Sequence, residues 1–186
     1  MKLYGKGGRT YRSLWMLEEA EVEYERELVD WSQGEALAAE YIALNPNGKV
    51  PLLVDGETIV FESFVINYYL AKHYAPSLWI DDDLLTSQWL AWGLSELEGP
   101  HDAANRAKTE IDQDRLDRSL NLLRRELRKQ PYIAGSEFTV VDLNTACLAF
   151  RPQYRPVIEA DGELRDWLGR CSARPALSRA MQSNDG

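Results

Sequence analysis

Cysteine and histidine are nearly missing from this 186-residue chain, with two of each. Cys147 and Cys171 form no Cys-x-x-Cys pair and have no zinc-like spacing, so no metal site is expected from them. A free pair suits a reducing compartment. His73 and His101 stand isolated, as solvated or packing residues rather than ligands. No run approaches the roughly 18 apolar residues of a membrane-crossing helix. The opening Met1-Lys2-Leu3-Tyr4-Gly5 turns polar at once and lacks the apolar stretch of a signal peptide. Positive charge is scarce: 21 Lys and Arg face 30 Asp and Glu, giving a net charge of −9 and a pI near 4.8. Such a surface repels phosphate backbones and anionic lipid. Neither nucleic acid nor a membrane is expected as a partner, and the reading is a soluble cytoplasmic protein. Internal repeats and low-complexity segments are absent as well.

What is abundant is core material. Hydrophobic residues make up 45% of the chain, with six Trp and nine Tyr, which excludes a disordered polymer. Lys2-Leu3-Tyr4 reads as a short strand, followed by the loop Gly5-Lys6-Gly7-Gly8. A helix fits Thr10 to Glu21, with Leu14, Trp15 and Leu17 at helical spacing. Tyr24 to Val29 alternates as a strand does, and Glu35 to Leu44 reads as a helix stopped by Asn45-Pro46-Asn47-Gly48. Val50 to Val54 and Thr58 to Phe61 make a hairpin, for which Asp55-Gly56 supplies a favoured turn. A helix follows from Glu62 to Tyr74. The order β-α-β-α-β-β-α predicts an α/β domain over residues 1–75.

Residues 76–83 carry a Pro and three consecutive Asp and read as a linker. Beyond them, residues 84–186 read as all-helical. Leu84 to Ala107 and Thr109 to Lys129 carry long helical patterns, the second with Leu116, Leu120, Leu123 and Leu127 on one stripe. Thr139 to Phe150 is almost wholly apolar and predicts a central helix, with two shorter helices after it. Cys147 falls inside that apolar helix, as a small buried hydrophobe. Arg124-Arg125 belongs to a mixed-charge face. Trp89 and Trp92 suit either the core or the wall of a ligand pocket.

Two short segments carry chemistry. A strand that opens on proline after a glycine, at Val50-Pro51, leaves two conformations open. A trans bond merely ends a loop, and the residues alone favour it. A cis bond turns the Val50 N–H and C=O away from the sheet, free to pair with an extended peptide ligand. Glu62-Ser63 lies where a strand yields to a helix, whose first turn offers unpaired N–H groups and partial positive charge to a carboxylate. Ser63 can add a hydroxyl bond and Glu62 can receive an ammonium, or both residues simply cap the helix.

Taken together, Asn45-Pro46-Asn47-Gly48-Lys49-Val50-Pro51-Leu52-Leu53, then Phe61-Glu62-Ser63 and the helix through Tyr68-Tyr69-Leu70, resemble the glutathione-binding half of cytosolic glutathione transferases. Met1-Lys2-Leu3-Tyr4 and Leu17-Glu18-Glu19-Ala20 are similar to that family's first strand and helix. Tyr132-Ile133-Ala134-Gly135 and Phe138-Thr139-Val140-Val141-Asp142 are similar to its C-terminal capping motif. The resemblance implies a thioredoxin-like N-terminal domain with a cis proline at Pro51, followed by an all-α bundle. It implies that Val50 pairs by its backbone with the cysteinyl part of glutathione, that Glu62 and Ser63 hold the γ-glutamyl group, and that Lys49 reaches the glycyl carboxylate. It implies further that glutathione is a co-substrate beside a small electrophile, that no other cofactor is needed, and that the protein is a homodimer, the first domain of each chain against the second of its mate.

Thr139 and Asp142 have capping-box spacing, so loss of Asp142 is expected to cost roughly 1–2 kcal/mol with little effect on ligand chemistry. The thiol-activating group is less defined. Many family members carry Ser, Cys or Tyr just after the first strand, where this chain has Gly7-Gly8. Thr10, at the start of the first helix, is preferred, with Tyr11 and Tyr4 as alternatives and Arg9 and Arg12 adding positive potential. A non-catalytic binding or regulatory protein of the same fold is the competing reading. A glutaredoxin-type thioltransferase is disfavoured, because the first loop has no cysteine.

Overall fold

The computed structural model describes residues 1–184. Contacts divide the chain into two compact units, Met1–Trp79 together with the chain from Arg174 onward, and Ile80–Ala173. In the first unit the strands β1 (Lys2–Tyr4), β2 (Glu25–Glu27), β3 (Leu52–Asp55) and β4 (Thr58–Phe61) form one sheet in the order β2-β1-β3-β4. β1 runs parallel to β2, with Leu3 opposite Arg26, and antiparallel to β3, with Leu3 opposite Leu53. A parallel pair needs a crossover, and α1 (Thr10–Ala20) supplies it. α1 buries Leu14, Trp15, Met16 and Leu17 completely and ends at Glu21, whose φ of 52° stops the helix.

The hairpin turn falls one residue later than expected. Asp55 pairs with Thr58, so the turn is Gly56-Glu57 rather than Asp55-Gly56. Asp55 stays in the ladder because its carboxylate accepts hydrogen bonds from the hydroxyls of Tyr69 and Tyr74 on α3 (Ser63–Tyr74). α3 packs on β3, β4 and α1, and buries Phe64, Ile66, Leu70 and Ala71.

The helix expected over 35–44 is broken. Two 3₁₀ turns, Trp31–Gln33 and Glu35–Leu37, precede a short α2 (Ala39–Leu44), with Ala38 extended between them. The Glu35 carboxylate accepts from the Asp30 N–H at 2.6 Å, which folds this stretch back on itself before an α-helix can start. Leu37 and Ile42 then close on Gly48, where a Cβ would lie 3.0 and 3.3 Å from their methyl groups. Only glycine fits that approach.

In the second unit the helix expected over 84–107 runs as α4 (Asp83–Trp92), a π-helical turn Gly93–Glu98 and α5 (Gly99–Ala107). α6 (Gln113–Leu127) starts four residues later than expected, because Asp112 caps it by accepting from the Arg115 N–H at 3.0 Å. Its leucine stripe is buried: Leu116, Leu120, Leu123 and Leu127. α7 (Val140–Ala149) is buried at every residue, as its composition requires. α8 (Arg155–Ala160) and α9 (Gly162–Ser172) complete this unit. The Asp142 carboxylate inside it accepts four bonds, from the Thr139 N–H and hydroxyl at 3.1 Å and from the Ile133 N–H and Trp167 Nε1 at 2.9 Å. Burial, the larger influence, pushes this carboxyl up while those donors pull it down.

A third terminal helix, α10 (Pro175–Asn184), follows where two helices in all were expected, and it groups with the first unit rather than with the helical half. It packs on α1 because its small side chains Ala176 and Ala180 are buried and charges on both helices match. Arg174 donates twice to Glu19 at 2.6 Å, and Arg179 donates to Glu18 at 2.8 Å. Nearby, the Tyr24 hydroxyl donates to Glu18 at 3.0 Å, and burial with this bond pushes the phenol up to about 12. The folded chain therefore holds that proton more tightly than an unfolded chain, whose tyrosines titrate near 10. This contribution to stability is intact below pH ~10 and lost as pH rises toward 12. Denaturant titrations at stepped pH should show a shallower alkaline fall for Tyr24→Phe, and a slope equal to that of the unaltered chain would contradict the assignment.

Candidate functional site

One groove in the first unit is assembled from three loops. The first leads from α2 into β3. Asn45, 1% exposed, ties it together: its Oδ1 accepts from the Asn47 N–H at 3.1 Å and its Nδ2 donates to the Lys49 carbonyl at 2.7 Å. The Tyr41 hydroxyl donates to the same carbonyl at 2.6 Å. Two donors on one carbonyl set the direction in which the chain enters Val50–Pro51, and that peptide bond is cis. Pro51 is buried and Leu52 then opens β3. Among the described residues, neither the N–H nor the C=O of Val50 has a hydrogen-bond partner. A main-chain donor and acceptor at a sheet margin are thus left for something else to pair.

The second loop joins β4 to α3. Glu62 has φ 68° and ψ 115°, outside the wells open to side-chain-bearing residues, and such strain concentrates at ligand sites. Its carbonyl still accepts from the Val65 and Ile66 N–H groups at 2.9 Å, so α3 is fully formed behind it. Ser63 opens the helix, only 5% exposed, with its carbonyl accepting from the Ser13 hydroxyl at 3.5 Å. The Ser63 hydroxyl itself has no partner among the described residues. A hydroxyl at the positive end of a helix suits a carboxylate.

The third loop precedes α1. Lys49, Val50, Pro51, Glu62 and Ser63 line one groove, with Phe61, Asn45, Asn47 and Arg9 completing its wall. The five residues read as glutathione-binding are thereby brought together. Asn45, Asn47 and Tyr41 were visible in the sequence only as breakers or helix residues. The spacing of Asn45 to a lysine four residues on, before Val-Pro, is the signal that marks them.

The hydroxyl candidates lie elsewhere. Tyr4 packs edge-on against the Tyr41 ring, 6.2 Å between centroids, in a small core with Val29 and Leu52. Thr10 is wholly buried, and its Oγ1 has no partner among the described residues. A Cβ at Gly5, whose φ is 141°, would lie 2.6 Å from that oxygen and 3.2 Å from the Val50 Cβ. The Thr10 hydroxyl and the Val50 side chain therefore crowd that point, and glycine is obligatory at position 5. Tyr11 is half-buried, and none of the three lines the groove. Arg9, immediately before α1, does.

In the second unit Trp89 and Trp92 pack edge to face at 5.0 Å and, with Leu122 and Ile133, line an open cleft. His101 is half-buried, and burial together with the Arg151 charge holds it below the usual imidazole range. Among the described residues no cluster of three metal-ligating side chains occurs, and no helix is long and apolar enough to cross a membrane.

Comparison with known proteins agrees with this architecture. The family model for the glutathione S-transferase N-terminal domain matches residues 1–72, and that for the glutathione S-transferase C-terminal domain matches residues 86–175. The chain is 30% identical to glutathione S-transferase 3 of Zea mays, over 97% of its own length and 93% of the relative's. It is 34% identical to glutathione S-transferase GstB of Escherichia coli K12, over 96% of each chain. A theta class glutathione S-transferase from Xanthomonas axonopodis pv. citri, solved with glutathione bound, superposes with a TM-score of 0.74 at 28% identity, covering 96% of this chain and 95% of that one. The chain belongs to the glutathione S-transferase family. Its first half is thioredoxin-like and its second all-α, the architecture of that family.

Proposed function

We propose that the chain binds glutathione in the groove around Val50 and transfers it to small electrophiles, or uses it to reduce peroxides. The unengaged Val50 backbone, flanked by Ser63 and Lys49, carries this reading. The cysteinyl N–H and C=O pair with Val50 as an added strand does. The γ-glutamyl carboxylate meets Ser63 and the start of α3, the γ-glutamyl ammonium meets Glu62, and the glycyl carboxylate meets Lys49. The sulfur, as thiolate, attacks an electrophilic carbon; the S–C bond forms as the leaving group departs with its electron pair. With a peroxide, two glutathione molecules give the disulfide, an alcohol and water. Retention on glutathione-agarose with turnover of chlorodinitrobenzene or of a hydroperoxide tests the proposal. Failure of retention would end it.

The competing reading is a glutathione-binding protein without turnover. Its support is that no hydroxyl of Tyr4, Thr10 or Tyr11 lines the groove. Retention without turnover across a panel of electrophiles and peroxides would favour it. We place the protein in the cytoplasm, in keeping with two buried, unbridged cysteines. We read it as a homodimer, in keeping with the exposed Ile59 and Val65 on β4 and α3, and light scattering at micromolar concentration should give twice the chain mass.

A further inference from the structure

We propose that Arg9 is the group that holds the glutathione sulfur as a thiolate. The inference rests on the glutathione reading of the groove and adds to it the one role that reading leaves unfilled.

Charge matching points to Arg9. Glutathione brings two carboxylates and one ammonium, besides its thiol. Ser63 with the start of α3 answers one carboxylate, Lys49 the other, and Glu62 the ammonium. Arg9 lines the same groove, and the thiolate is the remaining charge on the ligand. Position agrees. Arg9 directly precedes α1 and lines the same groove as Val50, the residue that pairs with the cysteinyl backbone. The hydroxyl-bearing candidates do not line the groove: Tyr4 packs its ring against the Tyr41 cluster, Thr10 is wholly buried, and Tyr11 lies outside the lining.

The chemistry suits a guanidinium. It is charged at every relevant pH and carries several donors in one plane. An opposite charge within about 4–6 Å lowers a pKa by roughly 1–3 units, enough to bring a thiol of about 8.5 to neutrality or below. Two fixed features act in the same direction: Arg9 occupies the N-terminal end of α1, and the first turn of α1 holds no acidic residue. The step is a simple ionisation. The S–H bond breaks, the proton passes to bulk water, and Arg9 stays cationic throughout.

The test is the ultraviolet thiolate absorption of bound glutathione, followed against pH, together with calorimetric affinity, for the unaltered chain and for Arg9→Gln, Arg9→Lys and Thr10→Val. The bound thiol should titrate about one unit or more below free glutathione. Arg9→Gln should raise that titration by about 1–2 units, leaving about 10- to 100-fold less thiolate at pH 6.5, and Arg9→Lys should restore part of it. Weaker binding by Arg9→Gln with the thiol titration unmoved would overturn the proposal and assign Arg9 to a carboxylate. Loss of thiolate in Thr10→Val, with Arg9→Gln unchanged, would overturn it in favour of the hydroxyl. If the unaltered chain binds no glutathione, the reading of the groove fails first; if it binds with an ordinary thiol, only the role of Arg9 fails.

Discussion

Replacing Asp142 with alanine should lower stability by about 3–5 kcal/mol, enough to unfold much of a marginal protein at physiological temperature. The carboxylate is 0% exposed and serves four donors on three segments: the Thr139 N–H and hydroxyl, the Ile133 N–H and the Trp167 indole. Thr139 is the helix cap proper. Ile133 belongs to the turn before α7, and Trp167, fully buried, belongs to α9. Truncation strands all four donors in a dry interior, and each unsatisfied group costs about 1–3 kcal/mol before water or relaxation offsets part of it. Thr139→Ala removes one donor of the four and should cost only about 1 kcal/mol. Urea titrations read by tryptophan fluorescence and by circular dichroism measure both variants. Equal losses in the two would show that Asp142 is a helix cap and nothing more.

Ser63→Ala should weaken glutathione binding about 10- to 100-fold while leaving the fold untouched. The expectation follows because, among the described residues, its hydroxyl has no partner, so no contact among them is lost with it. A hydrogen bond to a charged group contributes about 1.5–3 kcal/mol, and each 1.4 kcal/mol is tenfold in affinity. Glu62→Gly makes a complementary case. Glycine removes the strain at φ 68° and ψ 115°, which costs about 1–3 kcal/mol, so the variant should melt higher and yet bind glutathione more weakly. Stability gained and affinity lost in one substitution would show that the strain serves the ligand. Calorimetric titration and thermal unfolding read the two effects separately, and unchanged affinity in both variants would remove the start of α3 from the site.

The contrast between these residues shows what a linear reading can reach. The Thr139–Asp142 spacing is local, three residues within one turn, and it predicts the cap. The same carboxylate's bonds to Ile133 and Trp167 join residues 9 and 25 positions away, and no periodicity announces them. That is why the sequence-based cost was about 1–2 kcal/mol and the structural one is larger. Strands and helices with strong apolar patterns, α1, α3, α6 and α7, were legible to within a few residues. The 31–44 segment was not, because the Glu35 side chain bonds the Asp30 backbone and this local competition defeats a helical pattern. Nor was α10, whose place depends on Glu18 and Glu19 more than 150 residues before it.

The site divides the same way. Val50, Pro51, Glu62 and Ser63 could be read because loop-to-strand and strand-to-helix junctions have characteristic residues. Arg9 could be read only as one of two arginines adding positive potential near Thr10, until the fold sets it in one groove with Val50 and Ser63. Asn45 and Tyr41, which hold the Lys49 carbonyl, are likewise visible only in three dimensions.

Backbone amide shifts on titrating glutathione into isotope-labelled protein test the central claim most directly. The largest changes should fall on Val50 and Ser63, with smaller ones at Lys49 and the start of α1, and Ser63→Ala should need about 10- to 100-fold more ligand to reach them. Shifts centred elsewhere, or a spectrum that glutathione leaves unmoved, would mean that the free main chain at Val50 serves some other ligand.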